Sequence, residues 1–362
     1  MWVQRLSLVA LATVGLATPQ LQMPLRQDDS GAVSISTSLF GDFERLARLV
    51  DIAYCIGTTG ISKPFDCVSR CDEFPTLSLV KAWNTGILLS DSCGYIAVDH
   101  GKGHHNKGGD FEDRASSKAI IVAFRGTYSI TNTVIDLSTV PQKYVPYPSP
   151  GTNETEALHP ECTNCTVHMG FWRSWKHARD MVIPEIKALK EEYPGYAIHL
   201  VGHSLGGAVA CLAALELKLS MGWENVIVTT FGEPRVGNYH LARYIDEAFG
   251  LDGDLEPEKR AYRRVTHKDD PVPLLPLDEW GYHSHGGEFY ITKPELSPSE
   301  GDVRTCIGDE DPQCSAENDS LVWFKLWQLF FAHRDYFWRL GLCVPGGDPT
   351  NWGREGIYDI PG

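Results

Sequence analysis

The sequence has little positive charge and few long apolar runs, and both shortages narrow what the protein can be. Lysine and arginine together number 32, against 47 aspartates and glutamates, which leaves a formal net charge of −15. No block of basic residues occurs, and this argues against nucleic acid, whose phosphates require a basic surface. Beyond the first residues, no apolar stretch is long enough to span a membrane. We therefore expect neither a nucleic-acid partner nor a transmembrane segment.

Repeats and low-complexity linkers are also absent, which favours a single folded unit. The 362 residues are 43% hydrophobic, enough for a large core. Predicted strands alternate with predicted helices, as in a mostly parallel sheet covered by helices on both faces. We predict strands at 90–98, 119–124, 197–201, 226–231, 263–266 and 289–291, and helices near 39–53, 171–189 and 208–217. The fold class is therefore α/β, in one domain over 38–362.

The N-terminal residues have the pattern of a secretory signal. Arg5 precedes a short apolar core over 6–16, and small residues follow at the cleavage position. We predict a signal peptide over 1–17, then a possible pro-segment or flexible arm over 18–37, and a secreted, extracellular protein. The ten cysteines fit the oxidising compartment that secretion implies. Three N-glycosylation triplets begin at Asn153, Asn164 and Asn318.

The clearest chemical signal is the segment Gly202-His203-Ser204-Leu205-Gly206. An apolar run precedes it and a pattern of small apolar residues follows it, so the serine lies on a predicted strand-to-helix turn. Such a turn is tight and strained, and it requires small residues on either side, which the two glycines supply. The turn raises the hydroxyl above the sheet edge and directs a helix N-terminus at it. We predict a nucleophile rather than a chance serine in a glycine-rich turn.

The serine needs two partners, because a hydroxyl is a weak nucleophile until a histidine held by a carboxylate takes its proton. After a turn of this kind the acid comes next in the chain and the histidine last. His333, flanked by aromatic residues, is the predicted base, whereas His283 and His285 lie in a glycine-rich loop that looks structural. Asp270 is the predicted acid because prolines stiffen the turn after it, and Asp269 is the alternative.

The negative charge that develops on an attacked carbonyl needs two or more hydrogen-bond donors. The amide of Leu205 comes with the turn itself. The second donor is predicted at Thr127, which follows the strand over 119–124 and offers both a backbone amide and a hydroxyl. This chemistry needs no cofactor, and we expect no metal.

These residues together resemble the fungal class 3 triacylglycerol lipases of the α/β-hydrolase superfamily. Five motifs occur in the family's order between about residues 40 and 343: Phe124-Arg125-Gly126-Thr127, Val167-His168-Met169-Gly170-Phe171, Gly202-His203-Ser204-Leu205-Gly206-Gly207-Ala208, Phe231-Gly232-Glu233-Pro234-Arg235-Val236-Gly237-Asn238 and Asp270-Pro271-Val272-Pro273. The resemblance implies an α/β-hydrolase fold. It also implies the triad and the oxyanion donors that the chemistry indicates, namely Ser204, Asp270 and His333 with Thr127 and Leu205.

The resemblance further implies four disulfides, Cys55–Cys343, Cys67–Cys71, Cys162–Cys165 and Cys306–Cys314. The first of them would tie the first helix to the C-terminal segment. Closely spaced cysteines can also hold zinc, but an oxidising compartment favours a bridge. Cys211 is then expected to be a buried free thiol, and the state of Cys93 stays open.

Lipases of this family carry a lid after the first of these motifs, and the resemblance places it at about 128–140. Ile130, Val134 and Leu137 share one helical face there, with Ile135 at its margin. An apolar underside can cover an acyl pocket in water and turn to lipid at an oil surface. The alternative is an ordinary surface helix whose apolar side faces the core.

The sequence thus predicts a serine esterase of the lipase type. We expect a monomer that hydrolyses acylglycerols, triacylglycerols among them, at an oil–water interface through an acyl-enzyme intermediate. A feruloyl-type or other soluble-ester carboxylesterase is the alternative within the same fold. A catalytically inactive binding protein and a peptidase are the remaining candidates, and an intact set of serine, acid and histidine argues against the first of these.

Overall fold

The computed structural model describes residues 34–86, 91–101, 118–127, 141–147, 161–252, 256–317, 329–345 and 349. The predicted signal peptide, nearly all of the predicted arm and the predicted lid with Ile130, Val134, Ile135 and Leu137 lie outside these ranges. So do two of the glycosylation triplets, at Asn153 and Asn318, whereas Asn164 is described and exposed. None of the helices within these ranges is long and apolar enough to cross a membrane.

An eight-stranded sheet forms the centre of the fold, and a small hairpin accompanies it. The strands are β1 (Leu77–Asn84), β2 (Cys93–Asp99), β3 (Ala119–Phe124), β4 (Pro141–Lys143), β5 (Thr166–His168), β6 (Ala197–His203), β7 (Val226–Phe231), β8 (Tyr262–His267), β9 (Glu288–Ile291) and β10 (Val303–Thr305). The spatial order is β1-β2-β3-β6-β7-β8-β9-β10, and β4 pairs with β5. Neighbouring strands from β3 to β9 are parallel, whereas β1–β2, β2–β3 and β9–β10 are antiparallel. The predicted mostly parallel α/β sheet is confirmed.

Five α-helices lie in the described ranges: α1 (Thr37–Ile52), α2 (Met169–Glu192), α3 (Leu205–Leu215), α4 (Tyr239–Phe249) and α5 (Leu329–Ala332). Side chains define some of their ends. The Ser36 hydroxyl accepts the Leu39 N–H at the start of α1, and the Asn238 side chain accepts the Leu241 N–H at the start of α4. Gly250 ends α4 at φ 64°, a left-handed conformation that favours glycine.

Helices cover both faces of the sheet. On one face, α1 packs its apolar side against strand residues, and the ring of Phe43 meets that of Phe289 edge-on at 5.0 Å. On the other face lie α2 and α3, where Trp175 contacts Phe124 in the same way at 6.3 Å. Strands β2, β3, β8 and β9 are buried along their whole length. Such strands form a rigid base for the loops at their carboxyl ends.

The structure joins all four cysteine pairs that the resemblance implies. Cys55 and Cys343 are 288 residues apart in the chain, and their Cα atoms lie 4.8 Å apart. This bond ties the end of α1 to the segment that follows α5. Cys93 and Cys211 are both free and buried, so these two thiols are not linked to each other.

The sequence-based prediction lacks β1, β4, β5, β10, α4 and α5. β1 alternates buried and less buried residues around a bulge between Leu79 and Lys81, and the bulge interrupts the period of two. β10 is only three residues long, too short for a pattern. α4 does carry signals, since an asparagine cap and a terminal glycine bracket a strongly amphipathic segment.

Candidate active site

Ser204 lies between β6 and α3, where the backbone makes a strained turn. Its φ and ψ are 58° and −130°, in a region that non-glycine residues rarely adopt. A side chain at Gly202 would collide with the backbone of Gly206, and one at Gly206 would collide with the carbonyl of Phe124. The strand, helix and sheet therefore meet too closely at this turn for any residue but glycine on either side of the serine.

His333 and Asp270 lie together at the carboxyl edge of the sheet, both fully buried. The His333 Nδ1 is 2.9 and 3.1 Å from the two Asp270 carboxylate oxygens. An ionised carboxylate only accepts hydrogen bonds, so Nδ1 carries the hydrogen and Nε2 carries the lone pair. The Nε2 atom is buried, and it has no hydrogen-bond partner among the residues that the structure describes. This nitrogen is therefore oriented to act as a base.

Two further donors hold the Asp270 carboxylate. The Val272 N–H donates to one oxygen at 2.9 Å, and the Tyr336 hydroxyl donates to the other at 2.5 Å. Burial alone would raise the pKa of Asp270, but the charge and hydrogen bond of His333, together with these two donors, lower it below its usual value. The acid is therefore ionised whenever it must orient the histidine. Sequence reasoning missed Tyr336, although it lies only three residues after His333.

A second histidine, His203, packs against the first. Their rings stack with centroids 4.7 Å apart. The His203 Nε2 lies 2.7 Å from the backbone carbonyl of His333 and must donate to it, so Nδ1 accepts the Tyr54 hydroxyl at 2.5 Å. Burial, reinforced by the charge on His333, lowers the pKa of His203 to about 3. The ring therefore stays neutral and adds no repulsive charge beside the base.

The predicted oxyanion donors lie on the two sides of the serine. Leu205 is the first residue of α3, where an amide N–H has no acceptor within the helix. Gly126 lies so close to the serine that a Cβ on it would be 2.8 Å from the Ser204 Cβ. Thr127 follows directly, and its hydroxyl is buried with no partner among the described residues. Both predicted donors thus come from segments that contact Ser204 or adjoin it.

The alternative candidates make contacts elsewhere. His285 Nε2 is 3.2 Å from the Glu233 carboxylate, in a buried polar group that also contains Tyr262. His283 contacts Asp309 at 3.1 Å. Asp269 occupies a left-handed turn at φ 68°, and it is the neighbouring Asp270 carboxylate that accepts the Nδ1–H of His333. Of the candidate acids and histidines, Asp270 and His333 are the pair that the described structure joins at the carboxyl edge of the sheet.

Replacing Tyr336 with phenylalanine is expected to lower kcat about tenfold, because Asp270 loses a charge-assisted hydrogen bond. The pKa of Asp270 should rise, so the acid-induced loss of stability should begin at a higher pH than in the wild type. Steady-state kinetics and thermal unfolding across the acid range measure both effects.

Tyr95→Phe is the matched control for this variant. Tyr95 is equally buried, and its hydroxyl donates to the Leu49 carbonyl at 2.8 Å, away from the triad residues. It should lose about 1 kcal/mol of stability without a change in kcat. Equal kinetic losses in the two variants would show that Tyr336 supports the fold rather than the acid.

Fold and site together define a class: α/β-hydrolase enzymes that use serine. Residues 121–280 match the class 3 lipase family. The chain is 60% identical to secreted mono- and diacylglycerol lipase 2 of Gibberella zeae, with 96% of this chain and 93% of that one covered. It is 57% identical to lipase A of Sodiomyces alcalophilus, covering 97% and 93%. The crystal structure of the Lip2 lipase of Yarrowia lipolytica superimposes with a TM-score of 0.71 at 31% identity, covering 86% of this chain and 98% of that one.

The chain belongs to the class 3 lipase family. The predicted family, the predicted enzyme class of serine ester hydrolase and the predicted secretion are all confirmed, the last by relatives that are named as secreted.

Proposed function

We propose that the chain hydrolyses acylglycerol esters with Ser204 as nucleophile, His333 as general base and Asp270 as the acid that orients it. One observation carries this proposal: a buried histidine whose Nδ1 is held by a carboxylate and whose Nε2 has no partner among the described residues, with its ring stacked on His203, the residue before a serine on a strained turn. Such an arrangement costs free energy of folding. It is also the arrangement that activates a serine hydroxyl.

The proposed reaction runs in two halves. The Ser204 Oγ attacks the ester carbonyl carbon while His333 Nε2 takes its proton, and the amides of Leu205 and Thr127 donate to the resulting oxyanion. The tetrahedral intermediate collapses, the glycerol oxygen leaves with the proton from His333, and an acyl-enzyme remains. Water then attacks the acyl group in the same way and releases the fatty acid and the free serine.

Sequence similarity to named lipases supports the substrate class, in addition to the geometry of the site. The Gibberella zeae relative is named as a mono- and diacylglycerol lipase. We propose the same class for this chain, with triacylglycerols as further substrates. We also propose that a lid over 128–140 uncovers the site at a lipid surface, because its aliphatic residues Ile130, Val134, Ile135 and Leu137 would gain contact with lipid there.

The decisive experiment measures the hydrolysis rate against the concentration of a short-chain triacylglycerol, taken through its solubility limit. Emulsions of long-chain mono-, di- and triacylglycerols are assayed in parallel, with a feruloyl ester as a soluble substrate. We expect the rate to rise sharply at the limit and the emulsions to be hydrolysed. Smooth saturation, with turnover confined to the soluble esters, would instead establish a soluble-ester carboxylesterase with a fixed lid.

A further inference from the structure

The turn after α1 places a tyrosine between two segments of the site. Tyr54 lies in the single 3₁₀ turn Ala53–Cys55 and is 2% exposed. Its hydroxyl is 2.5 Å from the Nδ1 of His203, the residue before the proposed nucleophile. A Cβ on Gly126 would lie 2.5 Å from the same hydroxyl, so the phenol also packs against the segment that leads to Thr127. One buried side chain thus touches both the nucleophile turn and the segment of an oxyanion donor.

The hydrogen bonds from this tyrosine can run in one direction only. The His203 Nε2 must donate to the His333 carbonyl at 2.7 Å, because a carbonyl oxygen only accepts. A neutral imidazole carries one hydrogen, so Nδ1 has a lone pair and accepts from the Tyr54 hydroxyl. Burial lowers the pKa of His203 and raises the pKa of Tyr54, so both groups stay neutral near neutral pH. The phenol therefore selects the tautomer of His203 that donates to His333.

His203 restrains the proposed base through its backbone and through its ring. The Nε2–H holds the His333 carbonyl, and the two rings stack with 29° between their planes. The Asp270 carboxylate contacts the His333 ring at Nδ1, which leaves the ring a tilt about that contact. The stacked ring of His203 opposes this tilt. The direction of the His333 Nε2 lone pair therefore depends on His203 as well as on Asp270.

The turn after α1 is anchored by contacts that do not involve the phenol. The Arg125 guanidinium donates to the Ile56 carbonyl at 2.7 Å and to the Gly126 carbonyl at 3.0 Å. The Cys55–Cys343 disulfide ties the same turn to the segment that follows α5. Loss of the phenol hydroxyl should therefore loosen the site without unfolding this part of the chain.

We infer that Tyr54 and His203 are positioning residues for the proposed hydrolysis. The phenol fixes the imidazole, and the pair then holds His333 and Gly126 in place around Ser204. Neither side chain needs to touch the substrate for this role. A misplacement of about 1 Å between reacting groups can cost on the order of 10²-fold in rate. Loss of the restraint should therefore lower kcat and leave KM nearly unchanged. The inference rests on the proposed function, because it requires an active triad.

The first test replaces Tyr54 with phenylalanine and measures kcat and KM on a soluble short-chain ester. We expect kcat to fall about tenfold and KM to stay within about twofold of the wild type. Tyr95→Phe is the matched control, because it removes a similarly buried hydroxyl that donates to the Leu49 carbonyl. Both variants should lower the unfolding temperature by similar amounts, but the control should keep the wild-type kcat. Equal kcat values in the two variants would overturn the inference.

A double-mutant cycle tests whether the phenol acts through the imidazole. His203→Gln keeps an amide that can donate to the His333 carbonyl, but it lacks an acceptor at the position of Nδ1. It should lower kcat about tenfold, and adding Tyr54→Phe should lower kcat by less than about twofold more. A double variant about a hundredfold below the wild type would show independent effects and would overturn the inference.

The control for the histidine is His199→Gln, the same change four residues earlier on β6, where the ring contacts Thr229. It should keep the wild-type kcat. If Tyr54→Phe does not fold, His203→Gln decides the matter, and a kcat equal to that of His199→Gln would overturn the inference.

Affinity for a transition-state analogue distinguishes positioning from support of the fold. The boron of an alkylboronic acid bonds to the serine oxygen, the serine proton passes to His333, and a tetrahedral anion forms at the oxyanion donors. Its dissociation constant should rise in Tyr54→Phe by about the factor by which kcat/KM falls. Tyr95→Phe should bind it as the wild type does. Unchanged affinity in Tyr54→Phe would overturn the inference, whereas failure of the proposed function would appear in the wild type, as absence of both binding and hydrolysis.

Discussion

Ester hydrolysis is expected to fall by at least about 10⁴-fold in Ser204→Ala, with the fold unchanged. The substitution removes the only group that can form the acyl-enzyme in the proposed reaction, while the oxyanion donors stay in place. The fold should persist because the Ser204 side chain makes no capping hydrogen bond to α3, and alanine retains the Cβ that the turn already accommodates. Initial rates on a soluble short-chain ester and thermal unfolding measure the two outcomes.

The control for this variant is Ser62→Ala, at an exposed serine in the segment between α1 and β1. It should leave both the rate and the unfolding temperature as they are. Retained turnover in Ser204→Ala would remove the serine from the mechanism. A loss of turnover accompanied by unfolding would leave the nucleophile to be tested by covalent labelling of the wild-type serine with an organophosphonate.

Asp270→Asn is expected to lower kcat by about 10⁴-fold with little change in KM. The asparagine occupies the same volume, but its amide can donate to His333 as well as accept from it. The imidazole is then no longer confined to the tautomer whose Nε2 accepts the serine proton, and the imidazolium loses its counter-charge. In the wild type, the Tyr336 hydroxyl and the Val272 amide stabilise the Asp270 anion. In the variant, they would face a neutral group.

The stability of Asp270→Asn relative to the wild type should depend on pH. The pKa of Asp270 is lower in the folded protein than its usual value, so its ionised form stabilises the fold above the unfolded-state pKa. That contribution disappears as the pH falls through the folded-state pKa. The wild type should therefore unfold at a higher temperature than Asp270→Asn near neutrality, and the difference should shrink on acidification. Thermal unfolding over a pH series measures it.

Asp269→Asn is the matched control, because it makes the same chemical change one residue earlier. It should keep kcat within a small factor of the wild type. If instead Asp269→Asn lost as much activity as Asp270→Asn, the assignment of the acid would be wrong, since that assignment rests on the contact between the Asp270 carboxylate and His333 Nδ1.

The features that could be predicted from the sequence are mainly those that depend on residues close together in the chain. The turn at Ser204 is recognisable because a serine there requires glycine two residues before and two residues after, and close packing imposes that spacing. The parallel strands are recognisable because burial on both faces demands continuous apolar runs. The position of Asp270 follows from chain order and from the prolines after it. The signals for the turn and for each strand are complete within about ten residues.

Other features depend on contacts between distant segments. Tyr54 reaches His203 across 149 residues, and Tyr336 reaches Asp270 across 66. Neither tyrosine lies in a pattern that distinguishes it from a core residue. Asp309, in the loop that the Cys306–Cys314 disulfide closes, meets His283 across 26 residues of chain.

By itself the sequence determined the family and the strand-to-helix turn at Ser204, and it predicted the order of acid and histidine after that turn, because these depend on residue type and spacing along the chain. Only the tertiary structure decided which groups hold the Asp270 carboxylate and why His203 stays neutral beside His333. The physical reason is that hydrogen bonds and charges act through space, over distances of a few ångströms that chain separation does not predict.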